Sequence, residues 1–134
     1  MPIVSSNYLV TTGDVFTLTS AEPIFVLEEP GTLVNTSTNA TDTGSEVDGA
    51  FDATFLINGN IITNGGLGIW LDEGGGTVTV GATGTIYSAS EGVIAQYSTT
   101  NIASQVYNHG TLIADDTTYV VSLGTAADTV LNTG

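Results

Sequence analysis

The 134-residue chain contains no lysine, no arginine and no cysteine. With 14 Asp and Glu residues and no basic side chain apart from one His, its formal charge is -14 at pH 7. A chain without cations has nothing with which to neutralise a phosphate backbone, so nucleic-acid binding is excluded. An anionic membrane surface repels it for the same reason. Its carboxylates have no Lys or Arg to pair with, so they must be solvated, hydrogen-bonded or matched by bound cations. Trypsin finds no cleavage site, which suits life outside the cell. The lack of cysteine excludes disulfides and thiolate metal sites. No apolar run approaches the ~18 residues that span a bilayer, so membrane insertion is not expected. Residues 1–8 lack the basic start and long apolar run of a Sec signal peptide. Proline is scarce, with three residues, and no segment combines a 3.6-residue apolar period with helix caps.

A repeat is present. Gly59, Gly84, Gly110 and Gly134 stand 25, 26 and 24 residues apart. Four residues before them are Phe55, Val80, Val106 and Val130. Two residues after the first three are Ile61, Ile86 and Leu112, and ten residues after are Ile69, Ile94 and Val120. Three apolar columns at one spacing are the signature of stacked coils. Their aliphatic residues, glycine corners and short runs such as Gly68–Leu71 and Tyr119–Ser122 are those of strands. The sequence therefore predicts an all-β chain, one parallel β-helix (β-solenoid) domain of about five coils with ~25-residue repeats. Each coil rises by about 4.8 Å, giving a stack of roughly 25 Å. Residues 1–34 read as irregular first coils, 35–53 as an acidic polar loop and 54–134 as regular coils. The tail Val130–Gly134 has the form of Leu9–Gly13, which places the two ends at a similar phase.

Acidic residues recur in the turns. Glu91 follows Gly84 by seven residues, and Asp115 and Asp116 follow Gly110 by five and six. A second acidic corner is Asp72-Glu73, before Gly74–Gly76. Oxygen-rich turns with flexible glycine neighbours are what Ca²⁺ accepts; solvated turns are the plainer reading of each. No cofactor is required, and calcium is the ion these turns would hold. The polar loop does not match the ligand spacing of an EF-hand. Asn108 and Asn132 occupy one column, with Ile57 and Ala82 above them, and form a short amide ladder. His109, the single histidine, falls in a turn column with Asn58, Thr83 and Thr133 and reads as an exposed corner residue. Trp70 and Tyr119 flank an inward column and suggest an aromatic outer face for subunit packing or glycan stacking.

The repeated Asn-x-Gly-Thr-apolar phrase resembles the right-handed β-helix repeats of secreted bacterial surface proteins: autotransporter passengers, adhesins and RTX-type exoproteins. The likeness covers residues 55–134 well and 9–34 poorly. Trp70 stands where the RTX nonapeptide after Gly65-Gly66-Leu67-Gly68 needs Asp, so tandem calcium nonapeptides are absent.

The resemblance implies an extracellular or cell-surface location. The expected function is structural rather than enzymatic. A building block would associate with copies of itself end to end into a filament, matrix or surface layer, because a β-helix leaves strand edges open at both ends. Leu9, Val10, Val130 and Leu131, with Trp70 and Tyr119, are the expected interface residues, and a glycan or surface partner is a further option. The alternatives are a non-catalytic module of a larger secreted adhesin and a polysaccharide hydrolase using Asp115 and Asp116. A lyase would need a Lys or Arg base, which is absent. Ice binding would need recurrent Thr-x-Thr rows, and Thr77–Thr79 and Thr17–Thr19 do not recur.

Overall fold

The computed structural model describes residues 1–96, 101–115 and 119–134. The described residues form strands and turns without a helix. In chain order the first coil holds β1 (Ile3–Val4), β2 (Tyr8–Val10) and β3 (Phe16–Leu18). The second holds β4 (Ile24–Leu27), β5 (Thr32–Asn35) and β6 (Ser45–Val47). The third holds β7 (Asp52–Ile57), β8 (Asn60–Thr63) and β9 (Ile69–Trp70). The fourth holds β10 (Gly75–Val80), β11 (Thr85–Ser88) and β12 (Ile94–Ala95). The fifth holds β13 (Ser104–Asn108), β14 (Thr111–Ala114) and β15 (Val121–Ser122), and β16 (Thr129–Asn132) opens a sixth turn. Every strand pairs in parallel with its equivalents one coil away, making three sheets. Sheet A is β1-β4-β7-β10-β13-β16, sheet B is β2-β5-β8-β11-β14 and sheet C is β3-β6-β9-β12-β15. The chain is a parallel β-solenoid of about five turns at the spacing read from its sequence.

Alternation along each strand sends every second side chain into the space between the sheets. In sheet A the inward column is Phe25, Phe55, Val78, Val106 and Val130. In sheet B it is Tyr8, Leu33, Ile61, Ile86 and Leu112. In sheet C it is Phe16, Ser45, Ile69, Ile94 and Val121. The middle members, among them Phe55, Ile61, Ile69, Ile86 and Ile94, are fully buried. Each such aliphatic or aromatic side chain contributes on the order of 1.5–3 kcal/mol on leaving water. The aromatics gather toward the N-terminal end. Tyr8, Phe16, Phe25 and Phe55 form a continuous run with ring centroids 5.3, 5.2 and 6.2 Å apart.

A second inward column of sheet B is polar. Asn35, Thr63 and Ser88 stack beneath the corner that leads to sheet C. The Asn35 amide donates to Gly13 O and Thr43 O at 2.9 Å each. Thr63 and Ser88 donate to Gly66 O at 2.8 and 3.1 Å. These bonds satisfy turn carbonyls that the curvature of the coil removes from the ladders. The stretch 35–53, read from sequence as a polar loop, thus supplies Asn35 to β5, all of β6 and the start of β7.

Four register expectations are corrected. Phe55 pairs with Val78, and Val80 pairs with Ile57 and Asn108. The corner after β10 has four residues, Gly81–Gly84, where the corner after β7 has two, Asn58-Gly59, so counting back four from the glycine stops two residues short. Because the pleat also has period two, both residues still face inward. Val80 rather than Ala82 therefore stands above Asn108. Val121, not Val120, pairs with Ile94, and Val120 is 40% exposed. Finally, Leu9-Val10 belongs to sheet B whereas Val130-Leu131 belongs to sheet A, so the two similar phrases are not equivalent.

Candidate functional site

The acidic residues sit almost wholly in turns. Among the described residues only Glu46 and Asp52 lie within strands. Glu91 and Asp115 occupy the corner between sheets B and C in successive coils, while Asp72 and Glu73 occupy the corner between sheets C and A. Asp115 is exposed and accepts a hydrogen bond from the Tyr87 hydroxyl at 3.1 Å. That carboxylate pushes the Tyr87 phenol above its ordinary value. Asp72 adopts a positive φ of 42° at the tip of its turn, and burial raises its carboxyl pKa. Asp116 lies outside the described residues. Among the described residues no three His, Asp or Glu side chains converge in a group that could hold a metal ion.

The structure assembles a different acidic group, one the sequence does not signal. Asp14, in the turn before β3, caps the next coil: its Oδ1 accepts from Thr43 N at 2.6 Å and from Thr43 Oγ1 at 2.8 Å. Glu46 projects from the outer face of β6 and is hydrogen-bonded to Asp14. Burial pushes the Glu46 carboxyl up to about 8, reinforced by the hydrogen bond and charge of Asp14 and by the charges of Asp72 and Asp48. These four residues come from three coils, and no spacing rule in the chain links them. Asp42 behaves oppositely. Bonds from Ser37 Oγ at 2.6 Å, Gly13 N at 2.9 Å and Asn39 Nδ2 at 3.2 Å hold its carboxyl below the ordinary value. It closes its own turn.

Trp70 and Tyr119 do not share a column. Trp70 is in register with Glu46 and Ala95, and Ala95 is in register with Ser122. Tyr119, three residues earlier, lies over Gly92, where its ring takes the place a Cβ would occupy. His109 is an exposed corner residue whose Nδ1 lies 2.7 Å from Thr133 Oγ1. The amide ladder is present: Asn108 Nδ2 donates to Asn132 Oδ1 at 2.7 Å.

The two ends of the stack differ. The first coil carries the Tyr8 and Phe16 rings, with Tyr8 44%, Ile3 54% and Leu9 67% exposed. The last coil encloses a hollow of about 380 Å³ lined by Val106, Leu112, Val120, Val121 and Val130 together with Asn108 and Asn132. It is the mouth of the solenoid interior. Val130 and Leu131 beside it are 53% and 47% exposed. A shallower groove of about 170 Å³ on the outer face of sheet A, lined by Asp52, Thr54, Thr77 and Gln105, has one carboxylate. No known protein family, curated protein or solved structure matches the chain.

Proposed function

We propose that the chain is an extracellular structural building block, a β-solenoid that stacks on copies of itself end to end into a filament, matrix or surface layer. The observation that carries this reading is the contrast between the ends: packed aromatic rings, with Tyr8 partly exposed, at one and a hollow lined by smaller aliphatic residues at the other. Both ends expose apolar residues beside open sheet edges, the arrangement that favours edge-to-edge addition. A contact between unlike ends does not close on itself and generates an open filament.

The alternative of a polysaccharide hydrolase rests on Asp115 and Asp116, of which Asp116 lies outside the described residues. A glycosidase needs two carboxyl groups about 5–9.5 Å apart across a cleft. Glu46 and Asp14 are bonded to each other on an outer face, and the groove on sheet A has Asp52 alone among the residues that line it. Calcium enters this reading as a screening or bridging ion between copies that each carry -14, since divalent cations relieve such repulsion.

The test is sedimentation and negative-stain imaging of the purified chain with millimolar Ca²⁺ and with chelator. Fibres that form reversibly with Ca²⁺ support the full reading. Fibres in both conditions keep the structural function and remove calcium from it. Monomers in both overturn self-assembly and favour the alternative of a module within a larger adhesin.

A further inference from the structure

The outer face of sheet B carries one continuous column of large side chains, four aliphatic residues and one tyrosine. Leu9, Val34, Ile62, Tyr87 and Ile113 are in register across all five strands. All point away from the core, and Leu9, Ile62 and Ile113 are 67%, 37% and 42% exposed. The neighbouring outward column is Thr32, Asn60, Thr85 and Thr111, polar but uncharged. No strand of sheet B contains a charged residue. The outer faces of the other two sheets differ: sheet C carries Glu46, and sheet A carries Asp52 and interrupts its aliphatic column with Thr79.

We propose that this face is a lateral self-association surface, on which the same face of a neighbouring stack packs. The occupant follows from charge and from area. Two copies that each carry -14 repel wherever their acidic turns approach. Sheet B is the side whose strands carry no carboxylate; Asp115, just past the end of β14, lies at its margin, hydrogen-bonded to the Tyr87 hydroxyl. Face-to-face sheets pack about 10 Å apart with interleaved side chains, a distance at which physiological salt already screens the flanking turns. The area sets the scale of the partner. Four steps of about 4.8 Å by strands of about 10–13 Å give a footprint of roughly 200–250 Å². A stable interface takes about 800 Å² from each partner. One copy is therefore too small to hold another by this face, and about three or four copies in a stack reach the required area together. Lateral pairing is a property of the assembled filament and rests on the end-to-end reading above.

The experiment is negative-stain imaging of filaments assembled from the intact chain, beside Ile62→Glu and Ile113→Glu, each checked for folding by circular dichroism. Thr54→Glu, an exposed position on the outer face of sheet A, is the control. Wild type and the control are expected to form paired or bundled filaments, more so as monovalent salt rises. The sheet B variants are expected to form single filaments of unchanged length, about half as wide. Single wild-type filaments, or sheet B variants that still pair, overturn the lateral contact and leave end-to-end stacking intact. Absence of filaments in every sample overturns both.

Discussion

Single side chains decide how this protein responds to pH and where its core is weakest. The Glu46 carboxyl is raised from an ordinary 4.5 to about 8 by burial and by Asp14, Asp72 and Asp48. The folded state therefore binds more protons than the unfolded chain between those values. Its contribution to stability is full below about pH 4.5, falls as pH rises and is gone above about 8. Asp72, also raised, acts in the same direction. Denaturant midpoints measured from pH 5 to 9 are expected to decline in wild type and to flatten in Glu46→Gln. An unchanged slope would show that another group controls it. A second expectation concerns Ser104, whose buried hydroxyl has no hydrogen-bond partner among the described residues. Ser104→Ala removes an unpaid desolvation and is expected to leave stability unchanged or raise it by up to about 1 kcal/mol. Asn35→Ala is the opposite case. It strips donors from two turn carbonyls and the acceptor from Ser37 N, and is expected to cost about 2–4 kcal/mol.

The corner between sheets A and B holds a column of glycines, one per coil from the second onward: Gly31, Gly59, Gly84 and Gly110, continued by Gly134 after β16. Here backbones of successive coils approach so closely that a Cβ on Gly59 would collide with Gly31 O, and one on Gly110 with Gly84 O. The glycine requirement is a matter of stacking distance, which is why it recurs once per coil and why the repeat could be read from it. Gly59→Ala is expected to destabilise by roughly 1–3 kcal/mol or more in chemical denaturation. Elements at the ends are held on one side only. Since each coil leans on its neighbours, amide exchange is expected to be slowest in β7 and β10 and fastest in β16, which is exposed along its length. Uniform protection along the stack would contradict that nearest-neighbour picture.

At the scale of the whole molecule the chain begins and ends in sheet A. In the proposed end-to-end stack, a copy adding β2 and β3 to the edges of β14 and β15 brings its own β1 to the slot that β16 fills. The two strands compete. β1 has two residues and β16 has four, so β1 is the one expected to yield, leaving β16 to meet the four-residue β4 of the added copy. Removing residues 1–5 is then expected to speed filament growth as followed by light scattering. Slower growth would mean that β1 belongs to the contact.

The sequence by itself determined the architecture. Inward columns such as Ile61, Ile86 and Leu112, the corner glycines and the Asn108–Asn132 pair repeat once per coil, and a parallel stack is the arrangement that brings equal spacings together. It could not determine the register wherever turns differ in length. Period-two alternation reports which face a residue takes but not which rung, so spacing alone sets Val80 beside the wrong neighbour; at Val120 the count is off by one, and Val121 takes the inward place. Tertiary structure alone decided what lies between coils: the Asp14–Glu46 hydrogen bond, the Tyr119 ring over Gly92, the aromatic run from Tyr8 to Phe55. It also decided that Leu9, Val34, Ile62, Tyr87 and Ile113 form one outer stripe. Each of those residues is an ordinary apolar strand residue in the chain, and only stacking at the strand spacing turns them into a surface.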